Sequence, residues 1–281
     1  MKLTRDDAEI FTPDGTPPET AWARTTHLCI AAHPDDVEVM ALDGILACFG
    51  RRDRWFSAVV VTDGAGCPRD GPYAGFTDAE MRAVRRHEQK KAACVGEYSA
   101  VAFLSHASGT VKNAADPSAG HDLGILLGRC RPEVVYTHNP ADKHDTHVAV
   151  LLRALGALRT QPAERRPARL YGCEVWRDLD WLEDRDKVVF RLDRHENIAA
   201  ALLGVFDSQI AGGKRYDLAV MGRRRAHATF HESHSVDVSR LASFAMDLTP
   251  LIREEIDLAR YVEEHIRRFA DDVSARIARL G

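Results

Sequence analysis

Hydrophobic positions along the chain alternate between short apolar runs and longer segments with an apolar residue every three or four positions. The short runs predict buried strands, and the longer segments predict helices packed on one face. The predicted strands are 26–32, 56–62, 100–104, 133–137, 170–176 and 187–192, and the predicted helices are about 37–49, 77–95, 123–130, 146–158, 196–210 and 216–228. This alternation favours an α/β fold, Rossmann-like, with a mostly parallel sheet flanked by helices.

The stretch 160–169 contains two prolines and several charges, which is typical of a linker. We therefore expect three parts: an N-terminal extension over 1–25, a catalytic core over 26–159, and a C-terminal part over 170–281 that completes the sheet and the pocket and ends in a long helix.

The end of the chain predicts that long helix through a stripe of apolar residues spaced by three or four. The stripe is Ile252, Ile256, Ala259, Val262, Ile266, Phe269, Val273, Ile277 and Leu280. At about 1.5 Å per residue the segment would span roughly 45 Å, more than its own core requires. The stripe packs either on a second copy, making a homo-oligomer, or across its own sheet. Light scattering separates the two.

The composition excludes several classes of protein. The chain is 45% hydrophobic and 28% charged and has no apolar run of about 20 residues, so neither a disordered nor a membrane-spanning protein is expected. The net charge of −4 offers no basic field for nucleic acid or a membrane surface. The first ten residues carry acidic side chains and lack an apolar run of signal-peptide length, so we expect a cytoplasmic protein. Its six cysteines, without a C-x-x-C pair, predict small buried hydrophobes.

Candidate chemistry follows the first predicted strand, where the sequence reads A-H-P-D-D-V-E from Ala32. Ligands of open α/β sheets bind beyond the carboxyl ends of the strands, and buried carboxylates there require a cation. His33 and Asp36 can converge on one ion and leave Asp35 free. A catalytic zinc site needs a third ligand, and the segment His144–His147 after the fourth strand supplies candidates. The alternative is a helix cap made by the two aspartates.

These residues carry a resemblance to a known family. The sequence resembles the zinc-dependent N-deacetylases, a family that includes N-acetylglucosaminyl-phosphatidylinositol deacetylase and the LmbE-like enzymes. The resemblance lies in A-H-P-D-D after the first strand, in D-x-H-x-x-H at 142–147 and in the order of the elements between them. The resemblance covers about 26–158 and implies one Zn²⁺ per chain, although iron or cobalt are alternatives in the cell. It implies that the metal ligands are His33, Asp36 and His147.

The same resemblance implies roles for three further residues. Asp35 is similar in position to the general base, and His144 to the residue that stabilises the tetrahedral intermediate or protonates the amine. Arg85 is similar in placement to an arginine that binds substrate; the alternative is an exposed helical ion pair with Glu88.

The chain also departs from the family pattern at three positions. Ala65 stands where many relatives have a glutamate, and Ser108 stands where relatives place an aspartate on sugar hydroxyls. Thr146 stands where a carboxylate often precedes the last histidine, which leaves Asp142 as a candidate to orient His144.

The resemblance implies a hydrolase that removes an N-acyl group, acetyl first, from a small molecule containing an amino sugar. One alternative is a catalytically silent protein that holds a metal. Another is a dinucleotide-binding oxidoreductase, but no G-x-G-x-x-G follows any strand. A second histidine group at His227, His231 and His234 lacks the H-E-x-x-H spacing, and we predict a loop or pocket wall there.

Overall fold

The structure, a computed structural model describing residues 1–281, is built on one eight-stranded sheet. Its strands are β1 (Glu9–Phe11), β2 (His27–Ala31), β3 (Phe56–Thr62), β4 (Ala100–His106), β5 (Val134–His138), β6 (Arg169–Cys173), β7 (Lys187–Arg191) and β8 (Ala242–Asp247). The spatial order is β1-β4-β3-β2-β5-β6-β8-β7. The five strands from β4 to β6 are parallel, and the remaining pairings are antiparallel. The predicted Rossmann-like fold is confirmed.

Helices cover both faces of the sheet. They are α1 (Pro18–Ala23), α2 (Asp36–Met40), α3 (Leu42–Cys48), α4 (Asp78–Val95), α5 (Ser108–Lys112), α6 (Ser118–Leu127), α7 (Asp145–Arg159), α8 (Glu196–Gly204), α9 (Asp207–Ile210), α10 (Tyr216–Phe230), α11 (Pro250–Arg253) and α12 (Leu258–Leu280). Short 3₁₀ turns lie at Gly71–Tyr73, Ala163–Arg165 and Asp184–Asp186. No helix combines the length and the hydropathy that crossing a membrane requires.

The central strands are buried on both sides, which explains their continuous apolar runs. In β2, Leu28 and Ile30 belong to the hydrophobic core on one face of the sheet, whereas Cys29 and Ala31 belong to the core on the other. Because side chains alternate along a strand, a parallel sheet with two covered faces needs an apolar residue at every position. The fold therefore fixes β2 rigidly at the centre of the molecule.

The order of the parallel strands creates a switch point between β2 and β5. From β2 the chain moves outward through β3 and β4, then returns to place β5 on the opposite side of β2. Since the two strands are parallel neighbours, the loops that follow them diverge from one edge and leave a crevice between them. Ligands of open α/β sheets bind in such crevices.

The structure corrects several predicted elements. The helix expected at 37–49 is broken at Ala41, and the one expected at 196–210 is broken around the buried Phe206. Strand β8 was not predicted, because its sequence A-S-F-A-M-D has no β-branched residue. Strand β1 was not predicted either, since it has only three residues at the sheet edge.

The sheet is continuous across the expected linker. Strand β6 pairs with β5, and β8 lies between β6 and β7. The linker itself is tied down, since the Arg166 guanidinium donates hydrogen bonds to the carbonyl oxygens of Gln161, Ile252 and Arg159. The division of the chain into an extension, a core and a C-terminal part stays a prediction.

The last helix, α12, contacts its own chain only through its first half. Leu258 and Tyr261 pack against the core, and the Tyr261 hydroxyl donates to the Asp247 carbonyl oxygen at 2.7 Å. The Arg268 Nε donates to Asp186 Oδ2 at 2.8 Å. Every residue from 269 to 280 is exposed. Neither half of α12 lies across the sheet, which was one of the two expectations for the apolar stripe.

The close approach of α3 to the sheet gives the first prediction. A Cβ on Gly44 would lie 2.5 Å from Cε2 of Tyr136, whose buried ring is held by a hydrogen bond from its hydroxyl to Asp43. Gly44→Ala should therefore lower the free energy of unfolding by about 1–3 kcal/mol, measured by urea denaturation. Gly124→Ala in α6, where a Cβ meets nothing within 4 Å, is the control and should raise stability by about 0.5–1 kcal/mol. Equal midpoints for the two variants would contradict this packing.

Candidate functional site

The loops after β2 and β5 bring three of the predicted residues into one triangle. His33 Nδ1 lies 3.1 Å from Asp36 Oδ2 and 3.2 Å from His147 Nε2, and the third side, His147 Nε2 to Asp36 Oδ2, is 3.3 Å. His33 follows β2, Asp36 begins α2, and His147 lies in the first turn of α7. The three side chains are thus supplied by the two loops that flank the switch point.

This triangle fits a metal ion. Ligands held about 2.0–2.1 Å from a tetrahedral ion are roughly 3.3 Å from one another, and two imidazole nitrogens with one carboxylate oxygen form a donor set that zinc accepts. Asp36 and His147 are buried, and His33 is partly exposed on the side of the crevice. Three protein donors with one side open to a cavity are what a catalytic metal site requires.

The electrostatics of the triangle also favour a cation at its centre. Burial alone would raise the pKa of Asp36, but the adjacent His147 and His33 rings hold the pKa of that carboxyl well below its usual range. Burial alone would lower the pKa of His147, but Asp36 and Asp142 raise the pKa of that ring to about 9. Positive charge is therefore stabilised beside Asp36, and binding of a metal would displace a proton from this position.

Asp142 orients His147. Asp142 Oδ2 lies 3.5 Å from His147 Nδ1, on the side of the ring opposite the triangle, and also accepts a hydrogen bond from the Trp176 backbone N–H. Asp142 Oδ1 accepts from the backbone N–H of His144, so this carboxylate does not contact the His144 ring. A carboxylate behind a ligating histidine fixes the tautomer that leaves the other nitrogen free for metal. The sequence analysis named Asp142 as a candidate to orient His144, but the ring that lies beside this carboxylate is that of His147.

The His144 ring is oriented by its own helix. Its Nδ1 accepts a hydrogen bond from the backbone N–H of Thr146 at 3.3 Å, which caps α7. Burial and the adjacent His147 and His33 rings lower the pKa of His144, so the neutral ring is favoured. With Nδ1 as acceptor, the proton of the neutral ring is on Nε2. His144 lines the crevice and offers an N–H donor beside the triangle.

His138, at the end of β5, is a functional candidate that the sequence analysis missed. Its ring stacks on His147 with centroids 3.9 Å apart, and its Nε2 lies 3.7 Å from Asp36 Oδ2. The same nitrogen accepts a hydrogen bond from the Ala32 backbone N–H at 2.9 Å, so its lone pair is occupied. His138 therefore supports the His147 ring and is not a ligand. Its position at the carboxyl end of a central strand was the available signal.

Asp35 lies beside the triangle without joining it. Its backbone has a φ of +91°, a conformation that is strained for a residue with a side chain, and its side chain makes no helix-capping hydrogen bond. Two residues of α4 hold this turn: Gln89 Oε1 accepts from the Asp35 N–H, and Arg85 Nη2 donates to Asp35 Oδ2 at 3.0 Å. Burial raises the pKa of Asp35 to about 7, against the opposing effect of Arg85. The capping alternative does not hold for Asp35.

Arg85 is buried, and its hydrogen bonds go to protein groups. Besides Asp35, it donates to the carbonyl oxygens of Gly64 and Pro34 at 2.8 and 2.6 Å. Glu88, its suggested partner, instead accepts hydrogen bonds from the backbone and hydroxyl of Ser208, so the exposed ion pair is wrong. Arg85 also lines the crevice, and its role toward substrate stays a prediction.

Two adjoining cavities open beside the triangle. The first has a volume of about 280 Å³ and a mostly polar lining that includes His33, Asp35, Arg85, Ser108, Lys112, His144, Gln209 and Tyr216. The second has a volume of about 160 Å³ and a mostly apolar lining of Asp35, Asp36, Val39, Val175, Trp176, Tyr216, Ala219, Val220 and Arg223. The two cavities share Asp35, Asp36, Trp176 and Tyr216. A polar and an apolar compartment therefore meet at the carboxylates.

The second histidine group is not part of this site. His227 lies within α10, where its ring stacks on Phe244 and its Nε2 lies 3.0 Å from Glu174 Oε1. His231 caps the end of that helix, and His234 is exposed. None of the three lines either cavity, so no pocket wall is formed by them; the loop expected at His231–His234 is confirmed, whereas His227 lies in the helix.

Comparison with known proteins agrees with the geometry. Residues 28–158 match the family model PIG-L, described as GlcNAc-PI de-N-acetylase. This stretch is therefore similar to the PIG-L family. It contains the complete triangle together with Asp35, Arg85 and His144, and it confirms the resemblance drawn from the sequence. A search of curated proteins gives no significant match.

Solved structures share the fold over most of the chain. N,N'-diacetylchitobiose deacetylase from Pyrococcus horikoshii is 14% identical, with 84% of this chain and 88% of that one covered and a TM-score of 0.63. The A40926 pseudoaglycone deacetylase Dbv21 is 16% identical, with coverage of 80% and 97% and a TM-score of 0.58. GalB, the 4-carboxy-2-hydroxymuconate hydratase from Pseudomonas putida KT2440, is 18% identical, with coverage of 83% and 100% and a TM-score of 0.57. Because one fold includes deacetylases and a hydratase, the reaction of this protein must be argued from its side chains.

The contact behind His147 gives the second prediction. Asp142→Asn keeps the size of the side chain but removes the charge beside His147 Nδ1, so metal affinity should fall about 10–100-fold. Competition with a chromophoric chelator measures the change. His234→Ala, in the exposed second histidine group, is the control and should bind metal as the unaltered protein does. Loss of metal from the His234 variant, or full affinity in the Asp142 variant, would contradict the assignment.

Proposed function

We propose that this protein is a zinc-dependent hydrolase that removes an N-acyl group from a small molecule containing an amino sugar. The PIG-L match and the deacetylases among the structural neighbours support a metal-dependent N-deacetylase. The observation that carries the proposal is the triangle of His33, Asp36 and His147, together with a second carboxylate, Asp35, that is not part of the triangle and lines the same cavity. The cytoplasmic location expected from the sequence stays a prediction.

Three residues hold the metal in this proposal, and two others handle protons and charge. When bound, zinc lowers the pKa of a coordinated water to about 7 and polarises the acyl carbonyl. Asp35 accepts a proton from the attacking water, and its pKa of about 7 suits a base that works near neutral pH. The same carboxyl then protonates the nitrogen as the carbon–nitrogen bond breaks, so the products are a carboxylic acid and an amine, which at neutral pH ionise to a carboxylate and an ammonium.

His144 is assigned to the developing negative charge. His144 lines the polar cavity and its Nδ1 is fixed by the Thr146 N–H, so the ring is already oriented before substrate binds. A preoriented donor costs no reorganisation during the reaction. Because the neutral ring is favoured, His144 acts as a hydrogen-bond donor to the carbonyl oxygen. Protonation of the leaving amine is then the task of Asp35.

Arg85 is assigned a positioning role in the same reaction. Its guanidinium donates hydrogen bonds to the Pro34 carbonyl oxygen and to the Asp35 carboxylate, which fixes the strained turn at Asp35. It also donates to the Gly64 carbonyl oxygen and so holds the loop that follows β3. Its opposite charge lowers the pKa of Asp35, so that this pKa rises less than burial alone would raise it. Its position in the cavity lining also allows it to contact substrate, as the resemblance implies.

The two cavities indicate how the substrate is oriented. The polar cavity offers donors and acceptors suited to sugar hydroxyls, including Ser108, Lys112 and Gln209. Lys112 adds a positive charge to the lining of this cavity, which also contains Ser108 at the position where relatives have an aspartate. The apolar cavity shares Asp35 and Asp36 with the polar one and suits the acyl side of the amide. We therefore place the sugar in the first cavity and the acyl group in the second.

Removal of the base gives the third prediction. Asp35→Asn should keep the metal, because Asp35 is not a ligand, but should lower turnover about 10²–10⁴-fold. Turnover is measured as new amine, detected with fluorescamine, on N-acetylglucosamine, N,N'-diacetylchitobiose and N-acetylated aminoglycosides. Asp145→Asn, an exposed change in the first turn of α7, is the control and should leave turnover unchanged.

Two results would contradict this assignment. If Asp35→Asn keeps its turnover, the base lies elsewhere. If the unaltered protein binds zinc but releases no amine from any of these compounds, the catalytically silent metal-binding alternative is favoured over the hydrolase.

The apolar cavity gives the fourth prediction. A cavity of about 150 Å³ lined by apolar side chains accommodates a molecule as large as benzene, so a volume of about 160 Å³ has room beyond a single methyl group. Val220→Phe should reduce turnover of an N-butyryl amino sugar at least tenfold more than that of the N-acetyl compound. Leu218→Phe, on the exposed side of α10, is the control and should leave the ratio unchanged. An unchanged ratio in the Val220 variant would show that the acyl group does not bind in this cavity.

A further inference from the structure

The second half of α12 is a helix without tertiary contacts. Its first half is anchored by Leu258, Tyr261 and the buried His265, whereas residues 269–280 project from the body and are exposed on every side. An isolated helix of about 12 residues is marginal in water, because its stability in proteins comes from packing of an apolar face. This segment carries such a face, so a surface that covers it would stabilise it.

The apolar face is symmetric about one residue. Its exposed members are Ile266, Phe269, Val273, Ile277 and Leu280, with exposures from 39% to 75%. Counted from Val273, these residues lie at −7, −4, 0, +4 and +7. At 3.6 residues per turn all five fall within about 40° of one line along the helix. The anchoring side chains lie about 90° away around the helix, so the stripe is accessible along its length.

A sequence that is symmetric about its centre is complementary to a reversed copy of itself. When two copies of α12 run antiparallel with Val273 on the two-fold axis, Phe269 faces Ile277 of the other copy and Ile266 faces Leu280. Every exposed apolar side chain of the stripe then has an apolar partner. Closed two-fold interfaces of this kind use the same patch on both subunits.

The charges favour the same arrangement. Asp272 precedes Val273 and Arg276 follows it, and at 3.6 residues per turn both lie on the same side of the stripe, about 100° and 60° from Val273. Antiparallel pairing places Asp272 of one helix beside Arg276 of the other, whereas parallel pairing would place like charges beside each other. Opposite charges that flank an apolar seam set the orientation of paired helices.

From the stripe and the charges together we infer that this protein forms a homodimer through antiparallel pairing of α12, with Val273 at the two-fold axis. The occupant of the exposed face is a second copy of the chain. Specific interfaces bury about 1,000 Å² or more, and five apolar side chains per copy make a small contact, so the association is reversible and depends on concentration. The inference does not depend on the proposed reaction.

The first test is the mass in solution. Light scattering after size exclusion should give twice the 31.2 kDa chain mass at high concentration and the single mass on dilution. Val273→Glu places two carboxylates on the axis and should give a monomer at every concentration, with a circular dichroism spectrum that loses at most the helical signal of residues 269–280. Ala275→Glu adds the same charge on the opposite side of the helix and should still dimerise. A monomeric parent protein, or a Val273→Glu dimer as strong as the parent, overturns the inference.

The second test fixes the register. Under oxidation Val273→Cys should form a disulfide-linked dimer, because its Cα atoms face each other across the axis. Ile266→Cys should not crosslink to itself, since two such residues would be about 21 Å apart along the helices. A mixture of Ile266→Cys and Leu280→Cys should crosslink. The unaltered protein, which carries the exposed Cys94, is the control. Self-crosslinking by Ile266→Cys would show parallel helices and overturn the antiparallel register.

Discussion

The burial of the Asp36 carboxylate between two imidazole rings is the constraint on which the site depends. A buried anion is costly unless positive charge compensates it, and here the His33 and His147 nitrogens approach the same carboxylate oxygen from two different loops. The compensation is available only because β2 and β5 are neighbours at the switch point of the sheet. The strand order therefore brings the two imidazole rings to Asp36, and the buried charge of Asp36 requires them there. A divalent cation meets that requirement and explains why three donors lie at nearly equal distances.

The remaining residues of the site keep this arrangement unambiguous. Asp142 lies behind His147, the Thr146 N–H fixes the His144 ring, and Arg85 and Gln89 hold the strained turn at Asp35. Each contact fixes a proton position or a side-chain rotamer that the three proposed metal ligands alone would not determine. As a result, the two carboxylates adjacent in sequence have opposite properties. Asp36 stays ionised, whereas burial raises the pKa of Asp35 toward neutrality.

Local patterns were enough to predict the centre of the fold and the triangle. The apolar runs of the central strands are long because both faces are buried, and the polar segments that follow β2 and β5, at 33–36 and 142–147, had to meet at one edge. Contacts made across the sheet were not predictable in this way. His138 is a lone histidine in the sequence, and only the pairing of β5 with β2 places it on the Ala32 N–H. Likewise, Arg85 is buried because α4 crosses the Pro34 turn, which helical periodicity does not reveal.

Elements stabilised by a neighbour were also beyond local pattern. Strand β8 has weak strand propensity and exists because β6 and β7 pair with it on both sides. The break at Ala41 separates α2 from α3, whose Gly44 lets that helix lie against the Tyr136 ring. Conversely, the stripe of α12 was visible in the sequence, but only the structure shows that its second half has no partner within the chain.

The central claim is that one cation is bound by His33, Asp36 and His147. The most direct measurement is diffraction from crystals of the zinc-loaded protein at energies on both sides of the zinc absorption edge, which locates zinc by its anomalous signal. The account predicts one peak per chain, about 2.0–2.2 Å from His33 Nδ1, Asp36 Oδ2 and His147 Nε2. A peak at another group of side chains, or no peak at the triangle in protein shown to contain zinc, would contradict it.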